Sequence, residues 1–210
     1  MQLSSRSRSG VTFIEVLLFL AIVSIVGVII LPLLFASTEN RLLQESISLV
    51  EHNGTLILQS LAQNTHHAER VIGPGMGEQG KVLALQSASG AMNPTIFALS
   101  GGSFIIVQHT DQQIISASQV AVQNFTVSNT STSSTRQSVL VSFTVSRTLR
   151  LEAPRTYSQG FEALFTLYPV DKTVGNQCGV TPGCIDSGHY SWQIFDAGVC
   201  QNASTTLNCL

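Results

Sequence analysis

One segment limits this chain more than any other. From Val16 to Ala36 the sequence runs VLLFLAIVSIVGVIILPLLFA, 21 residues without an ionisable side chain. As a helix rising 1.5 Å per residue it is about 31 Å long, enough to cross the hydrocarbon core of a bilayer. The only ionisable residue between Val11 and Ala36 is Glu15, at the start of the run. Arg6 and Arg8 precede it, against the single Arg41 close beyond its other end. That asymmetry predicts an N-terminus in the cytoplasm and a C-terminal domain outside it. The composition agrees. Only 10% of the 210 residues are charged, and mean hydropathy is +0.29. Soluble domains carry about 25% charged residues. A net charge of −2 leaves no basic surplus for phosphates, so nucleic-acid contact is not expected.

Three kinds of segment share such hydropathy. A secretory signal peptide has a shorter apolar stretch, about 7–15 residues, and a small-x-small cleavage site. Here the run is longer, and Leu34 or Phe35 stands where a small residue is needed. A plain signal anchor accounts for the hydropathy. It does not account for Glu15 at the lip, nor for a polar opening of ten residues that ends in Gly10. The third kind accounts for both. Gly10-Val11-Thr12-Phe13-Ile14-Glu15 before a long apolar run resembles the processing site of type IV prepilins and type II secretion pseudopilins. The positions that carry the resemblance are Gly10, Phe13, Ile14 and Glu15, with Pro32 inside the run. Val11 differs from the family's usual phenylalanine or methionine.

The resemblance implies cleavage after Gly10 by a prepilin peptidase, methylation of the new N-terminus at Val11, and assembly through the helix. The partners it implies are other pilin or pseudopilin subunits, an inner-membrane assembly platform and the lipid bilayer. Lacking a Cβ, Gly10 lets a protease approach its peptide bond closely. Cleavage would leave an amine on Val11 one helical turn from Glu15. A carboxylate near a helix start is favoured by the dipole. At the edge of lipid it still costs about 1–3 kcal/mol, so a partner is expected. The family's assembly logic supplies the amine of a neighbouring subunit. Gly27 and Pro32 are expected to kink or loosen the helix.

Past Ser37, Leu43, Ile47, Val50, Ile57 and Leu61 recur at helical spacing among charged residues. One helix is predicted from about Val11 to Ala68, loosened at Pro32 and Gly54 and ended by Gly73-Pro74-Gly75. Short apolar runs then predict strands at Val82–Gln86, Thr95–Leu99, Ser103–His109 and Gln112–Ser116. Gly101-Gly102 and His109–Asp111 mark turns between them. Val120 and Val122 alternate, slip, and resume at Phe125 and Val127. Val139, Val141, Phe143 and Val145 predict the neighbouring half-buried strand, and Phe161–Tyr168 another. The fold class is α+β, a long N-terminal helix packed on an antiparallel sheet. The expected organisation is a leader 1–10, a transmembrane or filament-core helix 11–36, an amphipathic continuation 37–70, a β domain 71–170 and a tail 171–210.

The tail is expected to be irregular and stapled by disulfides among Cys178, Cys184, Cys200 and Cys209. Four cysteines allow three connectivities, and sequence-adjacent pairing is the first expectation. Their spacing lacks the paired knuckles of structural zinc sites. Trp192, beside Tyr190 and Phe195, is expected in the tail's own core. No catalytic constellation stands out, and no cofactor or metal is expected. His66 and His67 are adjacent, so they point apart on a helix and do not form an i,i+4 metal pair. The glycine cluster at 73–77 follows a helix, not a strand, and is no dinucleotide loop. Asn53, Asn124, Asn129 and Asn202 match the glycan acceptor pattern, read as coincidence in a Ser/Thr-rich chain. The functional expectation is a structural, non-enzymatic filament subunit, with a minor role favoured. The alternative is a single-pass anchor carrying a β domain that acts as adhesin or receptor.

Overall fold

The computed structural model describes residues 13–87, 92–133, 136–149, 154–167, 183–196 and 199–206. The chain divides into two compact units, Met1–Glu45 and Ser46–Leu210. Helix α1, Phe13–His67, runs through the end of the first into the second. It carries Glu15 in its first turn and His66 and His67 in its last, the arrangement the helix dipole favours. The expected loosening at Gly54 is not found, because α1 is unbroken there. Instead the missing side chain makes room. A Cβ at Gly54 would run into the tip of the Phe161 ring.

The second unit is α+β, with three antiparallel sheets. The first follows the order β1 (Ala68–Gly73), β3 (Leu83–Ser87), β4 (Thr95–Ser100), β5 (Ser103–Gln108), β6 (Asp111–Ile114). The second follows β2 (Gln79–Gly80), β7 (Ala121–Asn129), β8 (Ser138–Leu149), β9 (Arg155–Thr166). The third is β10 (Gly183–Cys184), β11 (His189–Asp196), β12 (Val199–Thr206). Turn chemistry fixes the register. Gly101 and Gly102 both have positive φ, 57° and 80°, as a two-residue type I′ hairpin requires. The slip expected before Phe125 is a β-bulge between Gln123 and Thr126, where Asn124 takes φ 53°.

The apolar runs of β3, β4 and β5 are continuous rather than alternating because both faces of the first sheet are covered. On one face Leu83, Leu85, Phe97, Phe104 and Ile106 join Val50, Ile57 and Leu61 of α1 and the inward residues of β7 and β8. Aromatic rings tie the two sheets together. Phe104 of β5 meets Phe125 of β7 edge-on at 5.0 Å and Phe143 of β8 at 6.1 Å. On the other face Ala84, Ile96, Ala98, Ile105 and Val107 pack with Tyr190 and Trp192 of β11.

That second cluster corrects the reading of the tail. Gly183–Cys184, His189–Asp196 and Val199–Thr206 form strands rather than irregular chain. Tyr190 and Trp192 belong to a core shared with the first sheet, not to one of the tail's own. The Trp192 side chain is 3% exposed, and its Nε1 donates to the carbonyl of His109 at 3.0 Å. Burial holds the Tyr190 hydroxyl well above its ordinary pKa of 10.0. Thr205 donates to Gln112 at 2.7 Å, a further bond between β12 and β6.

Candidate membrane and assembly segment

Within the first unit the side chains of α1 are apolar and exposed nearly all round. Phe13 is 79% exposed and Phe35 70%, with Leu18, Ile25, Val28 and Leu33 also above half. An 18-residue window of this helix reaches a mean hydropathy of 3.1, with none of it buried inside the protein. Fully burying one such side chain is worth about 1.5–3 kcal/mol, so a score of them in water is untenable. This one N-terminal helix is long and apolar enough to span a membrane. The hydroxyls of Ser24, inside the run, and Thr38, just past it, are satisfied locally. The Ser24 hydroxyl donates to the Leu20 carbonyl at 2.8 Å, and Thr38 to Phe35 at 2.8 Å. Such back-bonding satisfies a hydroxyl where no water is present. Sequence reasoning gave these two residues no role, although a lone hydroxyl in an apolar run is the signal for it.

Glu15 lies in the first turn of α1, exposed. Gly10 and Val11 lie outside the described residues. The helix is unbroken at Gly27 and at Pro32. A Cβ at Gly27 would meet nothing within 4 Å, so this position opens outward and is not a packing notch within the chain. Of the cysteines, Cys184 ends β10 and Cys200 lies in β12, while Cys178 and Cys209 are outside the described residues. Cys184 is disulfide-bonded. Register bears on which partner it has. Cys184 stands opposite Tyr190 on β11, whereas Cys200 stands opposite Phe195. Five residues of offset along extended strands is about 16 Å. A disulfide needs Cα atoms within about 7 Å, so Cys184 and Cys200 do not pair with each other.

The residues weighed for chemistry are spread apart. His67 Nδ1 donates to the Gln63 carbonyl at 2.7 Å, and Glu69 accepts from Gln86 at 3.1 Å. Among the described residues no group of three or more His, Cys, Asp and Glu is placed to hold a metal ion. Asn53 is buried in α1, donating to the Leu49 carbonyl and accepting from the Ala117 N–H, both at 2.8 Å. It fastens the helix to the chain after β6 and offers no surface for a glycan. Comparison with family models, curated proteins and solved structures finds no match to this chain.

Proposed function

We propose that this chain is a subunit of a type IV pilus-like filament, of the pilin or pseudopilin kind. It is made in the inner membrane, trimmed after Gly10 by a prepilin peptidase, methylated on Val11 and assembled through α1. One observation carries the reading. A single unbroken helix has an exposed apolar first part led by a lone carboxylate, and a second part buried in a β domain. An apolar rod of that kind is equally suited to lipid and to a bundle of similar rods, since both solvate it without water.

In this reading Arg6 and Arg8 keep the leader in the cytoplasm, and the β domain lies outside it. The mature amine on Val11 of one subunit neutralises Glu15 of its neighbour and sets the step between copies. Gly27 and Pro32 give the helix freedom to bend as the inner-membrane assembly platform draws it out of the bilayer. Disulfides Cys178–Cys184 and Cys200–Cys209 staple the ends of the third sheet. What supports this pairing is the bonded state of Cys184 and the distance that separates it from Cys200.

Replacing Glu15 with Gln tests the assembly role. Membrane insertion and cleavage should be unchanged, while incorporation into sheared filaments falls roughly tenfold or more, as loss of a partner for a lipid-edge carboxylate implies. Incorporation at the normal level would refute the role of Glu15.

A further inference from the structure

The last turns of α1 carry a polar stripe beside the buried one. Ser60, Gln63, Asn64 and His67 follow the i, i+3, i+4, i+7 spacing that places them on a single face. They form one wall of a cleft of about 570 Å³ in the second unit. Ser87, Met92, Ile106, Gln108, Gln113 and Ile115 complete its lining. The size lies in the range of binding sites. Among the described residues lining it, His67 alone has an ionisable side chain.

Carboxamides dominate the walls, and their bonds set what they can offer. Asn64 is engaged at both ends of its carboxamide. Its Nδ2 donates to the Ser60 carbonyl at 2.8 Å, and its Oδ1 accepts from Gln108 Nε2 at 3.1 Å. Gln113 Nε2 donates to Asp111 at 3.0 Å. These bonds engage the amide nitrogens of Gln108 and Gln113 and leave their Oε1 atoms as acceptors for N–H groups. Next to the cleft lies the edge of the first sheet. Among the described residues β6 pairs only with β5, so its outer side carries a row of backbone donors and acceptors. A strand added to β6 would lie about 4.8 Å further out and turn every second side chain to the face where the cleft opens.

We propose that the cleft and the β6 edge together bind an extended, uncharged peptide segment of a partner protein. The main chain pairs with β6, and alternate small apolar side chains turn to the cleft side next to Ile115. The N–H groups on the cleft side meet Gln108 and Gln113. A neutral oligosaccharide is the other ligand that carboxamides could serve. Among the described residues that line the cleft there is no Trp, Tyr or Phe for a sugar ring to stack on, which favours the peptide. This site stands apart from the filament reading and survives or fails without it.

The test uses the full chain in detergent micelles and a fluorescein-labelled, end-blocked Thr-Val-Thr-Val-Thr-Val peptide, followed by fluorescence anisotropy. Saturable binding is expected, weakened roughly tenfold in the double variant Gln108→Ala/Gln113→Ala, which loses the two hydrogen-bonding groups assigned to the peptide. Gln123→Ala, on the bulge of β7, should bind as the parent does. Trp192 fluorescence checks that each variant is folded. No binding at millimolar peptide overturns the proposal. So does binding indifferent to the double variant, or binding of maltohexaose in place of the peptide.

Discussion

The ring of Phe161 on β9 lies directly over Gly54 of α1, and no Cβ fits between them. The ring's freedom to turn aside is limited because one of its faces stacks on Phe143 at 5.4 Å. Helix and second sheet are therefore locked through a glycine. Gly54→Val should destabilise the domain by about 1–3 kcal/mol, the usual cost of overpacking. Adding Phe161→Ala to that variant should cost less than the sum of the two single changes, since each removes the other's clash or cavity. Denaturation midpoints of the four proteins test this. Additive costs would mean that the ring moves aside freely.

Trp192 is the sole tryptophan, and its indole N–H is bonded to the His109 carbonyl in the β5–β6 turn. Trp192→Phe keeps an aromatic ring and removes the donor, which leaves the half-buried His109 carbonyl without this partner at a cost of about 1 kcal/mol. That loss falls on the docking of the third sheet. Limited proteolysis should cut residues 183–206 faster in the variant, with the first and second sheets unaffected. An unchanged digestion pattern would show that the bond does not hold the sheet.

Tyr190 gives that docking a pH dependence. Burial raises the folded pKa above the ordinary 10.0, so the folded state holds the proton after the unfolded state has lost it. The contribution is complete below pH 10 and declines as pH rises through the folded value, by up to about 1.4 kcal/mol per unit. Stability measured at pH 9 and at pH 11 should fall in the parent and fall less in Tyr190→Phe. Equal losses would place the alkaline sensitivity elsewhere.

Much of this architecture was legible where burial is one-sided or complete. Val139, Val141, Phe143 and Val145 alternate because β8 has one wet face, and the burial of β8 follows that alternation. The interrupted alternation before Phe125 is a bulge, so the irregular spacing was itself information. β1 was not legible, because Glu69 and Arg70 give it a polar look. Their partner, the carboxamide of Gln86, lies across the sheet in β3. The first half of β9 shows no apolar pattern either, being exposed and held by its register with β8. β12 is polar because, among the described residues, it is an edge strand. The tail's strands exist because the first sheet has a second apolar face to be covered, a relation that local sequence does not express. For the membrane segment the reverse holds: every feature that defines it is local, from Glu15 through Thr38.

The most direct test is the intact mass and N-terminal sequence of the protein taken from membranes of cells that contain a prepilin peptidase. A chain that begins at Val11 with one added methyl group is the expected result. A chain that still carries residues 1–10 in those cells would contradict the account, leaving a permanently anchored β domain in place of a filament subunit.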